Sequence, residues 1–276
     1  ISIKISSYFF WQKIRVNEKY VIRAPRKHPL KAIKYKHKNY DRLLPLVAEL
    51  LNESDTIIDV GANIGDTLIH ICTKNKDSKL ICIEPIPFYY TYLEKNLKLN
   101  TNIDASKITL LNMATSDVQE DLRLEILKGT GREISTNGSV INAQPLDKII
   151  GTQPVSLIKI DTDGYDWKTL KGSREIIKRD NPIIYFELQV DNATMIKNYV
   201  REITLLLQQN YILFFFDNYG NFIYTVTDLF LLNEKIYYVL SNSNDSKINY
   251  FDVLAIHNED KNFGKLETLI KSYATQ

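Results

Sequence analysis

The sequence predicts a three-layer α/β fold, with helices on both faces of a mainly parallel seven-stranded sheet, and three observations carry that prediction. Short apolar runs recur at 56–60, 79–83, 108–111, 155–160, 182–186, 211–216 and 251–256, and runs of that length bounded by turn signals read as buried strands. Stretches of helical spacing lie between them, and strand, turn, helix repeated in that order implies parallel strands joined by crossover helices. The chain has 276 residues, 44% hydrophobic and 25% charged, without a Pro/Gly/Ser-rich linker. That is enough for one sizeable core.

The stretch Thr56-Ile-Ile-Asp-Val-Gly-Ala-Asn-Ile-Gly-Asp66 is the centre of the prediction. It reads as the first strand, a glycine turn, and the start of a helix, a layout in which backbone N–H groups face a ligand. The second strand ends in Glu84. An acid about 20 residues beyond a glycine turn, at the tip of the next strand, is placed to hold ribose hydroxyls. The spacing Gly61-x-x-x-Gly65 is not the G-x-G-x-x-G of dinucleotide enzymes, and no Lys-Ser/Thr pair follows to cradle phosphates. A phosphate-free nucleoside fits, S-adenosylmethionine being the common one. Asp59, at the end of the first strand, is expected to meet its amino group directly or through water. A turn that only packs a helix would leave Glu84 a coincidence.

The remaining strands add acids at the same rim. Asp161 and Glu187 end the fourth and fifth strands, and ligands of open α/β sheets lie outside the carboxyl ends of the strands. Asp161, Asp163 and Glu187 therefore face the substrate as candidate catalytic residues. Clustered carboxylates raise one another's pKa, so Asp161 or Glu187 is a candidate base. A divalent cation such as Mg²⁺ on these three acids is the less favoured alternative. Asp163 is equally a helix cap before 165–178, and Asp117 and Asp147 read as caps. Asn112 to Ala114, after the third strand, is the expected adenine wall, with Met113 on the ring face. His70 reads as a helix residue, and His28, His37 and His257 reach the site only if their segments fold over the rim. Residues 118–144 interrupt the rhythm and read as an inserted β-hairpin, with Asn137-Gly138 as its turn.

Asp-Val-Gly-Ala-Asn-Ile-Gly at 59–65, Ile-Glu-Pro at 83–85, Ile-Lys-Ile-Asp-Thr-Asp-Gly-Tyr-Asp at 158–166 and Phe-Glu at 186–187 resemble the FkbM family of S-adenosylmethionine-dependent methyltransferases. The likeness covers roughly residues 55–187. It implies a Rossmann-like class I methyltransferase fold, with Asp59, Gly61, Asn63, Gly65, Glu84, Met113 and Ala114 on the cofactor. It also implies O-methylation, with a sugar hydroxyl of a glycan or glycoconjugate as acceptor. One departure stands out: the family commonly reads Asp-Val-Glu-Gly where this chain has Asp161-Thr-Asp-Gly164, so a shorter carboxylate takes the longer one's place.

Charge is unevenly distributed. Residues 1–42 carry twelve Lys/Arg against Glu18 and Asp41, a local charge of +10 that leaves −8 on the remainder. With the aromatics Tyr8, Phe9, Phe10 and Trp11, this makes 1–40 a basic, aromatic flank or lid, before a catalytic domain at 41–260 and a helix or tail at 261–276. Such a flank suits a phosphorylated or lipid-linked saccharide, or peripheral membrane contact through 13–42; docking on the acidic body is the alternative. Nucleic acid is disfavoured, because Asp161-Thr-Asp-Gly does not match the Asn/Asp-Pro-Pro-aromatic run of base-directed amino methylation. A non-catalytic cofactor-binding module is the other rival. Cys72 and Cys82 read as core residues without disulfide or metal spacing, and no apolar run approaches a membrane span. A cytoplasmic setting, at the inner face of a membrane, is expected. The chain begins at Ile1 and not Met, which points to a longer protein.

Overall fold

The computed structural model describes residues 11–36, 42–127, 130–133, 139–190, 193–232 and 250–273. A hairpin of β1 (Trp11–Arg15) and β2 (Val21–Pro25) leads through α1 (Leu30–Lys36) and α2 (Leu43–Ala48) into the sheet. There β3 (Thr56–Val60), α3 (Asp66–Lys74), β4 (Lys79–Ile83), α4 (Pro87–Leu99) and β5 (Ile108–Leu111) follow one another. A small second sheet contains β6 (Ala114–Thr115), β7 (Glu120–Leu127), β8 (Thr130–Glu133) and β9 (Ser139–Gln144). The chain returns through α5 (Leu146–Ile150), β10 (Leu157–Ile160), α6 (Asp166–Lys171), α7 (Arg174–Asp180) and β11 (Ile183–Leu188). It continues with α8 (Ala193–Gln208), β12 (Tyr211–Asp217), β13 (Phe222–Val226), β14 (Phe251–His257) and a C-terminal helix, Phe263–Tyr273.

The main sheet has the order β13-β12-β14-β11-β10-β3-β4-β5. β5, β4, β3, β10 and β11 are parallel, and β14 inserts antiparallel between β11 and β12. The chain moves outward from β3 to β5, then returns to the other side of β3 at β10. That reversal opens a crevice at the carboxyl ends of β3 and β10. Every residue of β3 is buried, as expected for a central parallel strand covered on both faces. Ile57 faces a core shared with α2, α3, α4 and the C-terminal helix, whereas Ile58 and Val60 face one shared with α5 to α8. Cys72 and Cys82 are buried free thiols.

Three features differ from the sequence reading. The sheet has eight strands and not seven, because the turn at Asp217–Gly220 folds β13 back onto β12, whose edge would otherwise expose backbone groups. The inserted hairpin is part of a four-stranded sheet of order β6-β9-β7-β8, since β9 pairs antiparallel with β7 and parallel with β6; the Asn137-Gly138 turn lies outside the described residues. The helix read over 165–178 is two helices. Gly172 sits where an added Cβ would lie 2.2 Å from the Ser116 carbonyl oxygen, and the Asp147 carboxylate accepts the Glu175 and Ile176 N–H groups at 3.1 and 2.9 Å, starting α7 anew.

The N-terminal hairpin is fastened to α4 by two asparagines that act as an adjacent strand would. Asn96 accepts the Arg23 N–H at 2.7 Å and donates to the Arg23 carbonyl at 2.8 Å. Asn100 repeats the pattern on Val21, at 2.9 and 2.8 Å. The Asn96 amide also donates to Ile64 O at 2.8 Å, joining hairpin, α4 and the turn before α3. Replacing Asn96 with alanine leaves these backbone groups without partners, each costing about 1–3 kcal/mol where buried. Asn96→Ala should lower unfolding free energy by about 2–4 kcal/mol in urea titrations; a loss below about 0.5 kcal/mol would show that the clamp is dispensable.

Candidate functional site

The turn after β3 is tight because a neighbouring strand end leaves no room. Gly61 has φ +77°, and a Cβ there would lie 1.8 Å from the carbonyl oxygen of Asp161 at the end of β10. Asn63 follows with φ +48°, a left-handed conformation that asparagine tolerates better than most residues. Gly65 has φ +84°, and a Cβ would meet Leu93 Cδ1 at 2.6 Å, so it allows α3 to pack close on α4.

Glu84 locks this turn to β4. Its carboxylate accepts the Asn63 N–H at 2.7 Å and the Ile86 N–H at 2.8 Å, one on each oxygen. Only 4% of the residue is exposed. Burial pushes its pKa up to about 7 against the pull of the two N–H groups. Each oxygen keeps acceptor capacity, and the residue borders the cavity above the turn.

That cavity, of about 480 Å³, lies in the crevice between the ends of β3 and β10, within the size range of small-molecule sites. Gly61, Asn63, Glu84, Met113 and Ala114 line it, as do the acids Asp161, Asp163 and Glu187. Two residues expected on the cofactor lie behind the wall. Gly65 packs on α4, and Asp59 is wholly buried beneath the turn. Of the histidines, His28 does fold over the rim: its Nε2 lies 3.2 Å from Asn63 Oδ1, its ring meets Tyr89 edge-on, and burial lowers its pKa. His70 contacts Lys34 on α1 and the Asp66 carbonyl. His257, at the end of antiparallel β14, packs on Tyr211 at the opposite end of the sheet. His37 lies outside the described residues.

Three groups at the site escaped the sequence reading. Lys159, within β10, is 5% exposed and borders the cavity. Its ammonium lies 3.1 Å from Asp59 Oδ1 and 3.4 Å from Asp161 Oδ2, and donates to the Gly61 carbonyl at 3.2 Å. The Asp59 oxygens have no aligned hydrogen-bond donor, so that contact is charge pairing more than hydrogen bonding. Burial opposes the charge on Lys159, but Asp59 and Asp161 outweigh it and hold its pKa well above the usual value. Asp166, wholly buried, accepts from Thr162 N, Thr162 Oγ1 and Glu187 N at 3.2, 2.9 and 3.1 Å. Burial and Asp161 push it up to about 6. Asp166 is thus the residue that braces the 162–166 loop, while Asp163 takes φ +52° and faces the cavity. Asp252, opposite Glu187 in the β11–β14 register, also borders the cavity. A lysine inside the apolar run Leu157-Ile-Lys-Ile160 was the readable signal for Lys159, and Asp166 closes the motif quoted at 158–166; nothing in the sequence announces Asp252.

Burial, then Asp161, Asp166, Asp252 and Asp163, raise Glu187 well above the ordinary carboxylate range. A carboxylate so placed has a greater affinity for a proton than a solvated one. Among the described residues no group of three or more His, Cys, Asp or Glu is arranged to hold a metal ion.

The profile described as Methyltransferase FkbM domain matches residues 59–213, from the end of β3 into β12. The hexuronic acid methyltransferase AglP of Haloferax volcanii is 26% identical over 149 residues, covering 51% of this chain and 59% of that protein. Methyltransferase sdnD of Sordaria araneosa is 23% identical over 156 residues, covering 43% and 60%. The chain therefore spans less than two thirds of either relative. Among solved structures, the FkbM methyltransferase of Methylobacillus flagellatus aligns over 74% of this chain and 44% of its own, with TM-score 0.44 and 18% identity. The TYW2 structure from P. horikoshii, in complex with MeSAdo, aligns over 89% and 71%, with TM-score 0.47 and 11% identity.

Removing the lysine between the two strand ends has a signed pH signature. In Lys159→Met, Asp59 is left buried without a counter-charge, which costs about 3–5 kcal/mol at neutral pH. Burial raises its folded-state pKa above the unfolded value of about 3.9. The penalty is therefore full above the folded pKa, shrinks as pH falls through it, and vanishes below the unfolded one. Urea titrations should show the variant recovering relative to the parent on acidification, and Asp59→Asn should rescue it at neutral pH. A pH-independent loss would mean that lost packing, and not charge, dominates.

Proposed function

The chain belongs to the FkbM methyltransferase domain family, and from that membership we propose that it transfers a methyl group from S-adenosylmethionine to a hydroxyl group of a saccharide. One observation carries the cofactor assignment: a buried carboxylate, Glu84, tied to the turn N–H of Asn63 and bordering the cavity. Its remaining acceptor sites match a pair of ribose hydroxyls. Gly61 and Asn63 shape the floor, and Met113 and Ala114 supply the apolar wall for the adenine. Asp59 acts on the cofactor through Lys159, which stands between it and the cavity.

S-adenosylmethionine, when bound, supplies an electrophilic methyl on a positively charged sulfur. The protein's part is to hold the acceptor hydroxyl in line and take up its proton, the first of which is the larger effect. Glu187 is the favoured base, because its neighbours raise its proton affinity. Asp161 is ion-paired with Lys159 at 3.4 Å and is better suited to fixing the acceptor. Asp163 completes that wall. The name of the Haloferax relative, a hexuronic acid methyltransferase, supports a sugar acceptor. The basic flank suits an acceptor that carries phosphate or is lipid-linked.

Calorimetry with S-adenosylhomocysteine tests the cofactor half. Glu84→Ala should weaken binding about 10–100-fold, the value of hydrogen bonds to a charged group. Since burial pushes the Glu84 pKa up to about 7, and hydroxyl donors favour its ionised form, affinity should rise with pH through neutrality. Glu84→Gln should flatten that rise; equal affinity at about pH 6 and 8 in the parent would remove the ribose role. For the transfer half, labelled S-adenosylmethionine is incubated with a glycan extract and products are identified by mass. Glu187→Gln should slow transfer about 10²–10⁴-fold with cofactor affinity intact. Cofactor binding without transfer to any glycan would favour a non-catalytic module.

A further inference from the structure

The outer face of the N-terminal hairpin plays no part in the cavity, and its composition is unusual for a two-stranded ribbon. Register pairs Trp11 with Pro25, Lys13 with Arg23 and Arg15 with Val21, so these six residues share one face. The opposite face, with Ile14, Ile22 and Ala24, is buried in the core. Lys13 and Arg23 are thus like charges directly across from one another, an arrangement that weakens a strand pair. The hairpin cannot relax that repulsion by slipping, because Asn96 holds Arg23 at both its N–H and its carbonyl. Among the described residues none of Lys13, Arg15, Lys19 and Arg23 forms an ion pair, and the only acid between residues 11 and 36 is Glu18.

Lys13, Lys19 and Arg23 converge on a hollow of about 120 Å³ whose apolar sides are Trp11, Val21 and Leu99. Arg23 lies 4.5 Å over the Trp11 ring. Trp11 is 50% exposed and Leu99 is 38% exposed. Cations around a hollow call for an anion such as phosphate. A tryptophan and a leucine bared beside them call for something apolar within a few ångströms of that phosphate. A lipid headgroup at its acyl boundary offers both, and a free phosphate offers only the first.

We propose that the outer face of the β1–β2 hairpin is a docking surface for anionic phospholipid headgroups, with Lys13, Lys19 and Arg23 on the phosphate and Trp11 and Leu99 at the interface. It holds the cavity at the ends of β3 and β10 near a membrane and is independent of the methyl-transfer assignment.

Co-sedimentation of the full chain with phosphatidylcholine vesicles, with and without phosphatidylglycerol, tests it. Binding should require the anionic lipid and fall with added salt. Each neutralised cation should weaken it about fivefold, and Lys13→Gln, Lys19→Gln and Arg23→Gln together about a hundredfold. Trp11→Ala should weaken it at fixed charge. S-adenosylhomocysteine affinity and unfolding midpoint should be unchanged in these variants, since the residues point away from core and cavity. Indifference of vesicle binding to lipid charge, or to the triple substitution, overturns the proposal. So does tight binding of inorganic phosphate, which would mark a free-anion pocket, or an RNA affinity equal to that for vesicles. Failure of cofactor binding would sink the proposed activity and leave the vesicle result standing.

Discussion

The site depends on how closely two strand ends approach at the centre of the sheet. Where β3 and β10 diverge, the Gly61 backbone lies against the Asp161 carbonyl with no space for a methyl group. One ammonium, Lys159, reaches the carboxylates of Asp59 and Asp161 and the carbonyl of Gly61. It is hydrogen-bonded to the carbonyl and charge-paired with the two carboxylates. The buried negative charge of Asp59, the turn after β3 and the end of β10 are thereby tied to one point.

From that point the remaining geometry follows. With Gly61 pinned, Asn63 turns left-handed and presents its N–H to Glu84, which fixes the end of β4 relative to β3. With Asp161 pinned, the 162–166 loop closes on Asp166, whose carboxylate also accepts the Glu187 N–H near the end of β11. The antiparallel β14 then brings Asp252 across from Glu187. Acids gathered in this way are costly where buried, and burial together with the neighbouring carboxylates raises the affinity of Glu187 and Asp166 for protons.

The N-terminal segment is built into this frame. Its inner face completes the core over α3 and α4, its linker sets His28 on Asn63, and Tyr20 donates to the Cys72 carbonyl at 3.1 Å. Among the described residues its outer-face cations Lys13, Arg15 and Arg23 form no ion pair. One hairpin segment thus joins the turn after β3 to a basic surface.

Much of this was legible in one dimension, because buried parallel strands are written as apolar runs and the residue ending each run lands on the ligand side of the sheet. Gly61, Asn63, Glu84, Met113, Ala114, Asp161, Asp163 and Glu187 were placed at the rim by that logic, and the structure sets them around one cavity. The positions of Asp59 and Gly65 behind the wall were not legible, since alternation along a strand says which face a side chain takes but not what stands above it. Tertiary structure alone decided that Lys159 neutralises Asp59, that Asp252 joins Glu187, and that 165–178 breaks at Gly172. Each depends on a partner distant along the chain: β3 beside β10, an antiparallel strand inserted from near the C-terminus, and a carbonyl from Ser116. Local sequence determines what a strand ends with, and only the order in which strands assemble determines which of those ends meet.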